Sequence, residues 1–242
     1  MSNKAVIFGA TSLIAEHTAR LLAAEGWELV LVGRNRQALQ AVASHLRLTG
    51  YAPVHELLGD ASDMDSFPRL VDSARQLLGR FDLALIAWGI FYPSPDARQI
   101  REMERINHVA TVALAERLGQ VFAQQRCGTL AVLSSVAGDV LRADNYSYGS
   151  TKAALTADLQ GLRQTLAPCG VRVLTIKPGR VETPMTACIP CSRFTVEPAA
   201  IAAGICRAIR RKKSVVYLPG YLRVVFFVLR SLPEWLLKRL RF

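Results

Sequence analysis

The chain has 242 residues, 51% of them hydrophobic and 20% charged. That length and composition suit one packed α/β domain and exclude a disordered or low-complexity chain. The formal net charge of +11 asks for an anionic partner, either nucleic acid, an anionic membrane surface or a phosphorylated ligand; with no helix-turn-helix, zinc-finger or RNA-binding signature beside the charge, no nucleic acid is expected.

Strands and helices alternate from end to end. Residues 5–8 are a short apolar run ending in a glycine turn, and helical periodicity follows over Leu13–Ala24. A buried strand at 28–32 precedes an amphipathic helix at 37–48. Strands at 53–58 and 83–87 flank a helix at 64–78. One long helix spans 100–125, followed by a strand at 129–134. The helix carrying Tyr148 and Lys152 runs toward Ala167, and a strand follows at 172–177. A helix at 198–209 and a strand at 214–218 complete the pattern. Short apolar runs without alternation suit parallel strands covered on both faces. The order predicts a single-domain α/β, doubly wound Rossmann fold with a parallel sheet of about seven strands. Residues 1–220 form this domain, and residues 221–242 a basic amphipathic tail belonging to it.

The chain enters a strand at Lys4, which leaves no room for a cleavable apolar segment. Its five cysteines are an odd number and scattered. Both features predict a reducing, cytoplasmic setting. Cys188 and Cys191 form a Cys-x-x-Cys pair, but neither two further ligands nor a strand-to-helix opening accompanies it. The prediction is two free thiols on a loop and no metal.

Tyr148 and Lys152 stand four residues apart, and Ser135 lies thirteen positions before Tyr148. Carbonyl reduction needs such a trio: a phenol to move a proton, an ammonium to acidify it and a hydroxyl to hold the carbonyl oxygen. On a helix, positions i and i+4 share a face. A cation beside a phenol favours the phenolate, which predicts a tyrosine pKa drawn down toward working pH. At the first strand-to-helix turn, free N–H groups and the helix dipole over Gly9, Thr11, Ser12, Leu13 and Ile14 attract a pyrophosphate.

With these motifs, nearly the whole chain resembles a short-chain dehydrogenase/reductase. That family's turn, Thr-Gly-x-x-x-Gly-x-Gly, maps onto Phe8, Gly9, Leu13 and Ala15. Only the first glycine is kept, and Leu13 replaces the one that lets backbone approach the pyrophosphate. Gly33 stands where NAD-preferring relatives carry an acid, and Arg34 follows at once. A missing carboxylate and a guanidinium favour a 2′-phosphate, hence NADP(H). Asp60 and Ala61 resemble the family's adenine-side pair. The stretch from Ile86 to Gly89 takes the place of Asn-Asn-Ala-Gly, which puts Ala87 and Gly89 beside the cofactor and makes Trp88 a packing residue. Pro178, Gly179, Val181 and Thr183 fall in the Pro-Gly-x-x-x-Thr loop that in relatives holds the nicotinamide carboxamide.

The resemblance implies that Ser135 orients the substrate oxygen and that Tyr148 donates the proton as hydride arrives. It implies that Lys152 acidifies the tyrosine while holding the ribose, and that Asn107 supports a proton-relay water. Reduction of a carbon–carbon double bond is disfavoured, because enoyl reductases separate tyrosine and lysine further. Ser134 is read as structural, and His17 and His108 as packing or surface positions without a partner. Relatives pair through the long helices after the fourth and fifth strands, which implies a homodimer or homotetramer.

The tail sets Arg223, Arg230, Lys238, Arg239 and Arg241 among large apolar side chains, against one acid, Glu234. Its longest apolar run, 224–229, falls far short of the ~20 residues a membrane-spanning helix needs. Two short helices in an anionic bilayer interface fit, the second opened by Pro233 as its first residue. A tail folded over the substrate pocket or a subunit interface fits as well. Arg207, Arg210, Arg211, Lys212 and Lys213 form a second basic cluster, consistent with a solvated helix end. Turn and tail together resemble a subgroup containing reductases of polyprenyl-phosphate-linked keto-pentoses, which implies a lipid-linked or apolar carbonyl substrate at a membrane face. The alternatives are an NADP-binding sensor or scaffold without catalysis, and a soluble small-ketone reductase.

Overall fold

The computed structural model describes residues 3–49, 52–187 and 194–239. Its strands are β1 (Lys4–Phe8), β2 (Glu28–Gly33), β3 (Val54–Leu58), β4 (Leu83–Ile86), β5 (Gly128–Leu133), β6 (Val171–Pro178) and β7 (Val215–Leu218). Helices α1 (Leu13–Ala24), α2 (Arg36–Thr49), α3 (Phe67–Leu78), α4 (Ala97–Met103), α5 (Thr111–Gln125), α6 (Tyr146–Leu166) and α7 (Pro198–Arg210) connect them. Helices α8 (Leu222–Ser231) and α9 (Glu234–Leu237) follow the last strand.

The strands form one seven-stranded sheet in the order β3-β2-β1-β4-β5-β6-β7, every pair parallel. This is the doubly wound architecture read from the sequence. Successive side chains of a strand point to opposite faces. Ala5 and Ile7 of β1 therefore join Leu29, Leu31 and Leu174 in a core with α1, α2 and α7. Val6 and Phe8 join Val30, Val132 and Val173 in a second core with α3, α5 and α6. Both faces are covered, which is why the strands carry unbroken apolar runs. The direction of the winding reverses between β1 and β4, and ligands of such sheets bind at that point, outside the carboxyl ends of the strands.

Three local features differ from expectation. The helix expected over 100–125 is interrupted: α4 leads into a π-helical turn over Glu104–Ala110 before α5 begins. Asn107 sits inside that turn, and the Thr111 hydroxyl donates to the Ile106 carbonyl at 3.0 Å. A single extra residue per turn leaves the apolar pattern nearly unchanged, so periodicity does not reveal it. A 3₁₀ turn over Met64–Ser66 precedes α3. Pro233 caps α9 from outside in extended geometry, so the helix starts at Glu234.

Behind the active edge lies a buried ion pair absent from the sequence reading. Lys177 of β6 pairs with Asp139, both side chains at most 5% exposed, and the Tyr217 hydroxyl of β7 donates to the same carboxylate at 2.7 Å. The trio ties the segment after β5 to the last two strands. Breaking a buried pair from one side leaves an uncompensated charge, which costs about 3–5 kcal/mol. Asp139→Ala is expected to lower unfolding free energy in urea by that amount, and Lys177→Met/Asp139→Leu to recover most of it.

Candidate active site

The glycine turn is shaped by close backbone contact. Gly9 has φ of 75°, and its N–H and that of Ala10 both donate to the Val32 carbonyl at 3.0 Å. A Cβ on Gly9 would lie 2.7 Å from the Trp88 nitrogen, so no side chain fits where the ends of β1 and β4 meet. Ser12 caps α1, its Oγ accepting from Ala15 N at 3.3 Å. Ile14 and Ala15 are buried beneath the turn, and the Thr11 methyl lies against Gly33. Leu13 lines a cavity of about 310 Å³ with Arg180, Thr183 and Pro184.

At the other end of the cleft, Arg34 is exposed directly after β2. The Asp60 carboxylate accepts from Ser62 N at 2.8 Å and Ser62 Oγ at 2.9 Å. The backbone bond above all, then the hydroxyl and the nearby Arg34 charge, hold this carboxyl below its ordinary range against the opposing effect of burial. Ala61 is buried beside it. Ala87 N donates to the Phe8 carbonyl at 2.9 Å. Trp88 stacks on Phe67 with centroids 5.7 Å apart and donates from Nε1 to Thr111 at 2.8 Å. It is a packing residue, as read.

The chemical end gathers Asn107, Ser135, Tyr148 and Lys152. Ser135 closes β5 with extended backbone, and its Oγ accepts from Ala137 N at 3.1 Å. Tyr148 lies in the first turn of α6, hydrogen-bonded to Ser135, with the Phe91 ring edge-on at 5.4 Å. One turn further on, Lys152 donates from Nζ to the Leu133 carbonyl at 3.2 Å and stands 5.8 Å from the Tyr148 ring centroid. The Asn107 amide holds both backbone groups of Ile90: Oδ1 accepts from Ile90 N at 2.8 Å and Nδ2 donates to Ile90 O at 2.8 Å. Gly89 marks the meeting point. A Cβ there would lie 3.2 Å from Asn107 Oδ1 and 3.7 Å from Lys152 Nζ.

Burial reverses the expected titration of the phenol. Tyr148 is pushed up to about 12 by desolvation, with the Ser135 hydrogen bond pulling weakly the other way. Desolvation likewise brings Lys152 down to about 8. The low-dielectric surroundings disfavour phenolate and ammonium alike, and outweigh the attraction of a lysine whose nitrogen points to a backbone carbonyl. The result is a phenol that keeps its proton and an amine that changes charge just above neutrality.

The loop after β6 borders the cleft, lining a cavity with Leu13. Gly179 N donates to the Leu218 carbonyl at 2.9 Å, directly after Pro178, and Val181 bridges Val196. Thr183 N donates to Thr186 Oγ1 at 3.2 Å, and its hydroxyl lies 3.4 Å from the same oxygen, so Thr183 turns partly into its own 3₁₀ turn. Ser134 is structural: its hydroxyl reaches the Lys152 carbonyl at 3.2 Å and Thr156 at 2.8 Å, pinning α6 to β5. His108, expected without a partner, meets Asp158 of α6 at 2.6 Å. Such a contact joins residues fifty positions apart and leaves no mark on sequence periodicity. The Cys188 and Cys191 pair lies outside the described residues. Among those described, no group of three or more His, Cys, Asp or Glu is placed to hold a metal. Phe91 against Tyr148 and Arg180 beside Leu13 are site residues that local motifs did not single out.

Comparison with known proteins agrees with this geometry. The family profile described as short chain dehydrogenase matches residues 3–191. An uncharacterized oxidoreductase of Mycobacterium tuberculosis is 37% identical over 239 residues, covering 97% of this chain and 96% of its own length. Another, from Streptomyces coelicolor, is 36% identical over 242 residues, with 97% and 94% covered. A short-chain dehydrogenase from Sphingobium yanoikuyae in complex with NADPH superposes with a TM-score of 0.85 at 24% identity, over 99% of this chain and 96% of that one. Levodione reductase superposes at 0.81 with 23% identity, over 91% and 97%. The chain belongs to the short-chain dehydrogenase family and is an oxidoreductase.

Gly9→Ala tests whether the turn is as tight as the contacts demand. A left-handed alanine and a 2.7 Å clash together are expected to cost about 2 kcal/mol or more, a fall of roughly 4–8 °C in melting temperature by calorimetry.

Proposed function

We propose that the protein is an NADP(H)-dependent reductase that converts a carbonyl to a secondary alcohol. The observation that carries this reading is the convergence of Ser135, Tyr148, Lys152 and Asn107 around Gly89, at the strand ends next to the Gly9 turn. The residues present suit the cofactor. Gly9 leaves a turn without a side chain, Leu13 and Thr183 border an open cavity, and Arg34 lies exposed where no acid precedes it. Arg34 would take the 2′-phosphate, residues 9–14 the pyrophosphate, and Lys152 the ribose next to the nicotinamide. The NADPH held by the Sphingobium relative supports the same choice.

NADPH, when bound, supplies the hydride. Ser135 is placed to orient the carbonyl oxygen with its hydroxyl. As the carbonyl carbon gains hydride, its π electrons move to oxygen, and the Tyr148 phenol donates its proton there. A phenol near 12 is a suitable acid for an alkoxide, which is more basic still. The Lys152 ammonium stabilises the phenolate left behind, until solvent returns the proton. Asn107 commits its amide to Ile90 and Thr151, so its part is positioning: it holds the end of the β4 segment beside the nicotinamide pocket. A lipid-linked substrate, such as a polyprenyl-phosphate keto-pentose, is the finer part of this proposal. It draws support from the apolar helix α8, whose Leu222 abuts Gly179 at the rim of the cleft.

Tyr148→Phe is expected to lower kcat about 10³-fold in NADPH-oxidation assays with a carbonyl panel, with NADPH affinity by fluorescence titration within about threefold of wild type. The protonated lysine is the useful form and its pKa is near 8, so kcat/KM for reduction should be level below pH 7 and fall as pH rises through about 8. Arg34→Ala should weaken NADPH about tenfold or more while leaving NADH binding unchanged.

A further inference from the structure

Helix α8 exposes side chains that a globular domain ordinarily covers. None of its ten residues is buried. Val224, Val225, Phe227 and Val228 are exposed, Phe227 at 72% and Val224 at 66%. At ~100° per residue these four share one side of the helix. Leu222, Phe226 and Leu229 are partly covered and form the side that meets the domain, where a Cβ on Gly179 would lie 2.6 Å from a Leu222 methyl. Arg223 and Arg230, seven positions apart, flank the apolar side.

Helix α9 exposes a further large apolar side chain, Trp235 at 62%, with the Arg239 guanidinium 5.8 Å from its ring. Glu234, the tail's single acid, is neutralised by Lys238 at 2.9 Å. Arg230 also borders a cavity of about 370 Å³ shared with Arg163 and Lys177, whose one carboxylate is Asp139. The field beside the apolar stripe is therefore cationic. The other basic cluster stands apart, because Arg210, Lys212 and Lys213 precede β7 and α8 follows it, at opposite ends of that strand. Large apolar side chains bordered by arginines along one flank of α8 and at Trp235, with no free acid among the described tail residues, complement a surface of acyl chains under phosphates.

We propose that α8 and α9 are an interfacial anchor lying on an anionic phospholipid bilayer. Val224, Phe227, Val228 and Trp235 enter the boundary between headgroups and acyl chains, and Arg223, Arg230 and Arg239 meet the phosphates. No described helix is long and apolar enough to cross a membrane, so the contact is one of surface. Because α8 rests on Gly179 at the carboxyl edge of the sheet, docking holds the cleft mouth against the bilayer. The docking itself does not depend on the reductase reading.

The test is flotation of the whole 242-residue chain with extruded vesicles. The wild-type protein should float with phosphatidylglycerol vesicles, stay behind with pure phosphatidylcholine, and be released by about 0.5 M salt. Val224→Asp/Phe227→Asp should lower the partition coefficient at least tenfold, with melting temperature and NADPH titration unchanged. Wild-type protein that ignores phosphatidylglycerol vesicles overturns the proposal, as does an aspartate variant that floats as well as wild type. A dimer in sedimentation equilibrium that this variant splits, with no vesicle binding by wild type, assigns the surface to a second copy and overturns it too. Failure to bind NADPH would instead sink the reductase reading and leave the flotation result standing.

Discussion

A sheet in which every strand is parallel sends all seven strand ends to one edge, and the rest of this molecule is arranged around that constraint. Gly9 follows β1, Arg34 follows β2, Asp60 follows β3, Gly89 follows β4, Ser135 follows β5 and Gly179 follows β6. Residues scattered over most of the chain thus become neighbours without any long-range motif in the sequence. The reversal of the winding between β1 and β4 opens the crevice, and Gly9 lets the chain leaving β1 pass close to the Trp88 backbone after β4. Helix α6 then adds the one component that strands cannot supply, two side chains four residues apart on a common face.

Within the cleft, burial and charge compete, and burial wins at Tyr148 and Lys152. Hydrophobic walls, including Phe91, keep the phenol protonated and make the ammonium easier to lose. The same low-dielectric interior is tolerated at Lys177 only because Asp139 and Tyr217 complete a closed set of partners. The two buried lysines differ in that respect. Lys177 has a carboxylate and an anchoring position, whereas Lys152 donates to the Leu133 backbone carbonyl and faces the place where ligand chemistry would occur.

The alternation of strands and helices along the chain, most helix boundaries to within three residues, and the shared face of Tyr148 and Lys152 were legible because they rest on local signals: apolar runs, a glycine turn, and an i, i+4 pair. The π turn at Asn107 was not legible, since one inserted residue hardly disturbs a helical pattern. The direction of the Tyr148 shift was misread because spacing shows that a cation is near but not how dry the pocket is. The Lys177–Asp139–Tyr217 trio joins three strand ends and exists only after folding. Leu13 stands in place of a family glycine, and its place on the wall of a cavity with Thr183 and Arg180 joins residues about 170 positions apart, which no local motif encodes.

A crystal structure of the wild-type protein grown with NADPH tests the central claim most directly. The predicted result has the 2′-phosphate against Arg34, the pyrophosphate along residues 9–14, and the reactive face of the nicotinamide turned toward Ser135 and Tyr148 beside Gly89. A pyrophosphate held off the turn by Leu13, or a nicotinamide ring away from Tyr148, would contradict it.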